Sequence, residues 1–338
     1  MTLAVSVLLP FRNAEATLGE ALDSVVADVD SDAHAGTEVL AIDDGSTDGS
    51  RTVAVRFASA HPCVRVLNAG GVGIAQALAF GAREARGAFI ARMDADDISL
   101  PGRFAAQRAL LEASDGIAVA AAQVELFPEH HVEGGMRRYV DWQNALVTEA
   151  EHRHAIFVES PVCHPSVMMR RSALDAVGGY RDCAWAEDYD LWLRLHAAGY
   201  GIAKVPRVLL RWRQGPGRLT FTDARYSEDA FREARAHYLA PRLLREPRSI
   251  VVWGAGATGK RLARALEAHG ARPRMFIDID PRKIGGTARG VPVSSAEVLD
   301  AKRHFVVAAV GSWGARDLIA AHLKARGFLE QQDFLLAS

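Results

Sequence analysis

At 338 residues the chain is longer than one hydrophobic core usually organises, so two domains are expected. Its 49% hydrophobic and 24% charged residues suit a soluble globular protein, and a formal net charge of -1 excludes a global basic field for nucleic acid or anionic lipid. Three cysteines, Cys63, Cys163 and Cys183, lack CxxC spacing, which fits a reducing compartment and gives no sign of a disulfide framework or a zinc site.

The opening run MTLAVSVLL has no basic n-region and no cleavage site, and reads as a buried strand, Val5 to Leu9. No later stretch approaches the ~20 apolar residues of a membrane span. The expectation is a cytoplasmic protein without a transmembrane segment, whose membrane contact, if any, is peripheral and at the inner face. Ala14 to Val26 reads as a helix on the spacing of Leu18, Leu22 and Val25, and Val39 to Ile42 as a strand. That strand ends in the polar turn Asp43-Asp44-Gly45-Ser46-Thr47-Asp48-Gly49. Arg51 to Ala58 follows as a helix, Val64 to Leu67 as a strand, Gly73 to Ala85 as a helix and Ala88 to Met93 as a strand. This alternation predicts a parallel α/β sheet covered on both faces, with ligands bound beyond the strands' carboxyl ends. Both acidic clusters, Asp43-Asp44 and Asp94-Ala95-Asp96-Asp97, fall at such ends.

Further along, Pro101 to Leu111 is predicted helical, Ile117 to Phe127 extended and Pro128 to Gly135 a polar loop. Ser166 to Met169 reads as a strand, Ala186 to Ala198 as a helix and Val208 to Trp212 as a strand. Thr222 to Leu244 reads as one charged, Ala-rich helix, and Arg245-Glu246-Pro247-Arg248 as a linker. The pattern then restarts with a strand, Ile250 to Trp253, a helix, Lys260 to Ala268, and a strand, Arg274 to Ile277. The expected division is 1–221, a helix and linker at 222–248, and a second α/β domain at 249–338.

Carboxylates crowded at one sheet edge repel one another unless a cation is present, and Mg2+ or Mn2+ favours oxygen ligands shared with phosphate. Taken alone, Asp94-Ala95-Asp96-Asp97 reads equally as an N-cap for the next helix. Its neighbours add weight. Val5 to Asn13, then Ile42 to Gly49, Asn68-Ala69-Gly70-Gly71-Val72-Gly73 and Met93 to Asp97 occur in order, followed by Cys163-His164-Pro165-Ser166, Glu187-Asp188-Tyr189-Asp190-Leu191-Trp192 and Arg211-Trp212-Arg213. This series closely resembles the family-two inverting glycosyltransferases of GT-A fold, over roughly the first two-thirds of the chain.

The resemblance implies an α/β nucleotide-sugar-binding domain and a role for each motif. Asp44 accepts a hydrogen bond from the nucleotide base, usually uracil, with the Pro10 backbone beside it. Asp96 is the metal ligand, Asp94 lies nearer the ribose and metal, and Asp97 supports the turn. Asp188, beside Glu187, is the general base, and Arg213 contacts the diphosphate. The metal is Mn2+ or Mg2+, and the partners are a nucleotide-diphosphate sugar and a saccharide or lipid-linked acceptor. Two positions depart from the family pattern. Arg12 stands where an aromatic residue often stacks on the base, and Trp212-Arg213-Gln214-Gly215 lacks the late histidine that can assist metal or diphosphate. His164 reads either as a pocket-shaping residue or as a satisfied core histidine.

In the second domain, Trp253-Gly254-Ala255-Gly256-Ala257-Thr258-Gly259 is a GxGxxG between strand and helix, and Asp278 closes the next strand where a ribose-binding acid belongs. NAD(P), a nucleotide sugar and no ligand at all remain open there. The sequence therefore predicts an inverting glycosyltransferase in surface polysaccharide or glycoconjugate synthesis, fused to a smaller Rossmann-like module. Its rivals are a nucleotide-sugar-binding scaffold or sensor with weak catalysis and an NAD(P)-dependent oxidoreductase led by the second domain.

Overall fold

The computed structural model describes residues 4–31, 36–215, 217–312 and 314–338, so the first three residues of the N-terminal reading lie outside it. The chain forms two compact units, one of residues up to Arg153 with Pro161–Thr222, the other of His154–Ser160 with Asp223–Ser338. The expected boundary at 222–248 is thus supplemented by a short earlier segment. That segment is tied into the second unit by Arg235, whose Nη1 donates to the Val158 carbonyl at 2.9 Å, and by a His154–Glu330 ion pair.

The first unit begins β1 (Val5–Phe11), α1 (Leu18–Ser31), β2 (Thr37–Asp43), α2 (Ser50–Ala60), β3 (Val64–Asn68), α3 (Ile74–Glu84), β4 (Phe89–Arg92), β5 (Ile98–Ser99) and α4 (Arg103–Glu112). It continues with β6 (Ile117–Phe127), α5 (Gly134–Ala145), α6 (Glu149–Ala155), β7 (Met168–Arg170), α7 (Arg171–Ala176), α8 (Glu187–Ala197), β8 (Gly201–Arg213) and α9 (Leu219–Thr222). β1 and β2 are buried along their whole length, as strands covered on both faces must be.

The eight strands run in the order β3-β2-β1-β4-β7-β6-β8-β5. β3, β2, β1 and β4 are parallel, as the alternation predicts. The all-parallel expectation fails beyond β4, because β7 pairs antiparallel with both β4 and β6, and β5 antiparallel with β8. β6 and β8 are parallel to each other, so β1, β2, β4, β6 and β8 all end on the same sheet edge.

Several local expectations shift for identifiable reasons. α1 starts at Leu18, not Ala14, because the Ala14 and Glu15 amides donate to Ser50 and Asp48 while Glu15 accepts from Gly49. The 128–135 loop contains a 3-10 turn, Glu129–His131, and α5 already begins at Gly134. The 222–244 helix is broken. Asp223 accepts from the Arg225 amide, and Ser227 caps a separate helix by accepting from Ala230. His164–Ser166 forms a 3-10 turn ahead of β7.

The second unit holds that helix, α10 (Glu228–Leu244), then β9 (Ser249–Trp253), α11 (Ala257–Ala268), β10 (Met275–Ile277), β11 (Thr287–Ala288), β12 (Val291–Ser294), β13 (His304–Ala308), α12 (Ala315–Ala325) and β14 (Phe334–Leu336). Its sheet runs β11-β12-β10-β9-β13-β14, parallel except for β11.

The acidic triplet does not cap α4. Asp28 of α1 takes that role, accepting from the Gly102 amide at 2.6 Å and the Phe104 amide at 3.2 Å. Replacing Asp28 by alanine should therefore lower the unfolding free energy by about 1–2 kcal/mol, as loss of an N-cap does. The check is a urea midpoint that falls with an unchanged slope. An unmoved midpoint would show that burial of Phe104 alone secures the helix.

Candidate functional site

The carboxyl ends of β1, β2, β4, β6 and β8 bring the motif residues to one edge. At the first of these, Pro10 is buried in β1 and Arg12 emerges exposed just after it. Asp43 closes the turn at the end of β2, its Oδ1 accepting from the Ser46 amide at 2.9 Å. Asp44, 5% exposed, reaches the 68–73 loop instead. Its carboxylate accepts from the Val72 amide at 2.7 Å and from Gly73 at 3.0 Å. The two loops touch at Gly45, whose φ is +76°, where a Cβ would lie 3.0 Å from the Gly71 backbone.

Asp94, Asp96 and Asp97 follow β4, with one ligand oxygen from each lying within 4.8 Å of the others. Asp94 and Asp96 are half-buried and Asp97 is buried. Oδ1 of Asp97 accepts from the Arg213 amide at 2.8 Å, while its Oδ2 is buried without a hydrogen-bond partner. Burial and then the charge of Asp94 push the Asp96 carboxyl up to about 6, and burial, Asp94 and Asp96 push Asp97 well above the carboxylate range. Such a cluster is short of positive charge. Its all-oxygen donor set and orphaned carboxylate oxygen fit a hard divalent cation.

Arg213 caps this cluster from β8. Its Nε donates to the Asp96 carbonyl at 2.5 Å, its Nη2 pairs with Glu20, and its guanidinium lies 4.4 Å from the centre of the Phe127 ring. Arg218, which the motifs did not single out, sits over the Trp212 ring at 4.2 Å, and its charge lowers both Asp96 and Asp97. The loop carrying Arg218 borders a cavity of about 550 Å³ lined by His130, His131, Met136, Gln214, Gly215 and Phe221. His131 Nδ1 lies 3.1 Å from the Gln214 carbonyl. The loop after β6 thus brings an imidazole beside the segment in which the family's late histidine is missing.

On the far side of Asp94, α8 opens with Glu187 and Asp188. Ala186 occupies the N-cap, so neither acid caps the helix through its side chain. Asp188 is half-buried and accepts from the Tyr189 amide at 2.6 Å. Burial first and the neighbouring Glu187 second push its carboxyl up to about 8. His164 is a core histidine, 7% exposed, with Nε2 3.1 Å from the Tyr180 hydroxyl and Nδ1 3.6 Å from Glu187. Burial lowers its proton affinity. Tyr180 was invisible to motif reasoning. Asp190 and Trp192 are structural: Asp190 bonds Trp185 and Arg194, and Trp192 is fully buried edge-on to His164.

Two buried arginines escaped the sequence reading because no pattern marks them. Arg92 donates from Nη2 to Asp94 at 2.6 Å. Arg103, 0% exposed, donates from Nη2 to the carbonyls of Arg92 and Pro165, each at 2.6 Å. In the second unit, Gly254 and Gly256 lie in the turn between β9 and α11, and Gly259 in the first turn of α11. Asp278, expected to face a ribose, has both oxygens engaged: by the Asp280 amide at 2.9 Å, the Ala255 amide at 2.9 Å and Lys283 Nζ at 3.0 Å. The NAD(P) expectation therefore finds no support there. Among the described residues, no helix is long and apolar enough to cross a membrane.

A family model, Glycosyl transferase family 2, matches residues 6–178. The amylovoran biosynthesis glycosyltransferase AmsE of Erwinia amylovora is 31% identical over 211 residues, 62% of this chain and 76% of that protein. Among solved structures, residues 1–349 of S. aureus TarS in complex with UDP-GlcNAc align with a TM-score of 0.55 at 18% identity, covering 80% of this chain and 74% of that one. The Pyrobaculum calidifontis mannosyltransferase PcManGT, in complex with GDP-Man and Mn2+, aligns with a TM-score of 0.51 at 20% identity, covering 79% of this chain and 73% of that one.

The charge arrangement at α8 is directly measurable. In the ligand-free protein Asp188 should titrate near pH 8, and Glu187→Gln should move that midpoint downward by removing the like charge, while leaving the burial contribution in place. Carboxyl-carbon NMR titration reads the shift. An unchanged midpoint would show that the two acids do not sense each other.

Proposed function

The chain belongs to glycosyl transferase family 2, and on that premise we propose that it moves a sugar from a nucleotide-diphosphate donor to a hydroxyl acceptor by metal-assisted single displacement with inversion. The observation that carries this reading is the pairing of two acidic groups of different character. One is a three-carboxylate cluster short of positive charge; the other is Asp188, a carboxylate of raised proton affinity beside Glu187 at the start of α8.

Asp96 and Asp94 would hold the divalent cation, with buried Asp97 fixing the turn to β8. When bound, the cation supplies electrostatic stabilisation of the diphosphate oxygens. Arg213 and Arg218 add positive charge where the leaving phosphate gains negative charge. Pro10, Arg12 and Asp44 stand at the base end, where Asp44 both holds the 68–73 loop and offers remaining lone pairs. UDP is the favoured carrier, in keeping with TarS, whose structure holds UDP-GlcNAc, and Mn2+ the favoured metal, as in PcManGT.

Asp188 takes the proton of the acceptor hydroxyl as its oxygen forms the new bond to the anomeric carbon. The bond from that carbon to the diphosphate oxygen breaks on the opposite face, and the nucleoside diphosphate leaves with the bonding pair. Among the carboxylates here we assign no covalent nucleophile, so an α-linked donor gives a β-linked product. A carboxylate held near 8 is a strong base once ionised, and the rate rises with pH as it ionises. His164 and Glu187 act behind it, in contact with each other and with Tyr180. The amylovoran connection of AmsE supports a place in surface polysaccharide or glycoconjugate synthesis, with a saccharide or lipid-linked acceptor.

Two measurements test the assignment. Asp188→Asn keeps shape but cannot take a proton, so transfer should fall by ~10²–10⁴-fold with donor affinity retained. Near-normal turnover in the folded variant sinks the role. Asp96→Ala should weaken Mn2+-dependent binding of UDP far more than binding of uridine, whereas Asp44→Ala should weaken both. Equal losses for the two ligands in Asp96→Ala would make the cluster a structural turn.

A further inference from the structure

Arg92 is the residue through which the two acidic groups meet. Phe89, Ala91 and Met93 enter the core, and strand alternation turns Arg92 to the other face. Its backbone is held at both ends: the amide donates to the Val167 carbonyl at 2.9 Å, and the carbonyl accepts from Arg103 at 2.6 Å. The side chain is 3% exposed. Nη1 donates to the Met93 carbonyl and Nη2 to Asp94, while Nε is buried with no hydrogen-bond partner.

Arg92 also faces the groups at the start of α8. Asp94 and Glu187 stabilise its charge, and its charge in turn lowers the proton affinity of Asp188 and of His164. Asp188 is faced by Glu187 from its own helix, by Arg92 from β4 and by the Tyr180 hydroxyl from the turn before α8. The other buried cation nearby, Arg103, turns its guanidinium to main-chain carbonyls and Gln107. A buried guanidinium with one donor unmet is costly, and an apolar side chain of similar volume would often serve stability as well. Ile90, one step earlier on the same face of β4, is such a side chain and is fully buried. What Arg92 adds is its fork and its charge.

We propose that Arg92 is a positioning residue for the transfer, orienting Asp94 by a direct hydrogen bond while presenting to Glu187 and Asp188 the buried positive charge they share. This inference rests on Asp94 and Asp188 serving the cation-holding and base roles given above. It gives the two halves of the site one common support. Removing the charge leaves Asp188 beside Glu187 without its cation, so Asp188 holds its proton to higher pH. Removing the fork releases Asp94 on the other side.

The test uses the full chain and its Arg92→Met and Arg92→Lys variants, with UDP-glucose and UDP-GlcNAc as donors in Mn2+ and UDP release as the readout. In Arg92→Met the rising limb of kcat/KM against pH should move up, the direction expected when an opposite charge is lost. Carboxyl-carbon NMR of the ligand-free variant should show the Asp188 midpoint moving the same way. Arg92→Lys keeps the charge, so it should return both midpoints toward the wild-type position. It lacks the fork, so calorimetry should still find Mn2+-UDP binding several-fold weaker than in the wild type. If both variants lose turnover alike while the limb and the Asp188 midpoint stay put, Arg92 is a structural filler and the proposal falls. Should Arg92→Met not fold, the split between midpoint and Mn2+-UDP affinity in Arg92→Lys decides alone, and a Lys variant matching the wild type in both overturns it. Failure of the underlying reading looks different: Asp188→Asn would then turn over normally whatever stands at position 92.

Discussion

The site depends on one buried cation that never faces the cleft. Arg103, in the first turn of α4, spends its guanidinium on the carbonyls of Arg92 and Pro165 and on the Gln107 side chain. Gln107 in turn donates to the carbonyls of Ala120 and Ser166. Two side chains one helical turn apart thus tie the end of β4, the centre of β6 and the turn carrying His164 into a single frame. Burying this charge is expensive, and the nearby carboxylates of Asp28 and Asp97 offset part of the cost. Burial lowers its pKa to about 10, so it remains a cation at neutral pH. Leaving such a network without one partner typically costs about 3–5 kcal/mol, more than any surface ion pair contributes.

That frame explains why the acidic cluster can be so poorly compensated. Asp94, Asp96 and Asp97 are held close together by backbone bonds to β8 and by the arginines behind them, not by attraction to one another. The strain of gathering like charges is carried by the fold itself. On the α8 side, His164 links the Tyr180 hydroxyl to Glu187, the residue before Asp188.

Much of this was legible in the sequence, for physical reasons. Short β-branched runs followed by polar turns marked β1, β2 and β4, and the acidic residues stood at their carboxyl ends because parallel strands put ligands there. The GT-A-type α/β fold and the family followed from motif order. The antiparallel β7 was not legible as such, since a three-residue strand carries no directional signal. Nor were α5 and α6, whose Gly-Gly start and polar composition suggest a loop. Arg92, Arg103 and Arg218 were missed because nothing in the local pattern separates an arginine held by buried carbonyls, a carboxylate or an aromatic ring from a solvated one. In the second unit the glycines have a packing reason: a Cβ at Gly259 would sit 1.9 Å from the Gly254 carbonyl, so the motif is required by close approach of β9 and α11 with or without a nucleotide.

The path of the chain between the units has a bearing on how such a protein can be inherited. The polypeptide enters the second unit at His154, leaves it after Ser160 and returns at Asp223. A recombination break at any one point after the first unit therefore cannot exchange the second unit cleanly, because a short piece of it is encoded upstream of α8 and β8. Any gene acquiring a different C-terminal module would have to keep, or separately redesign, residues 154–160, including the Val158 carbonyl that meets Arg235.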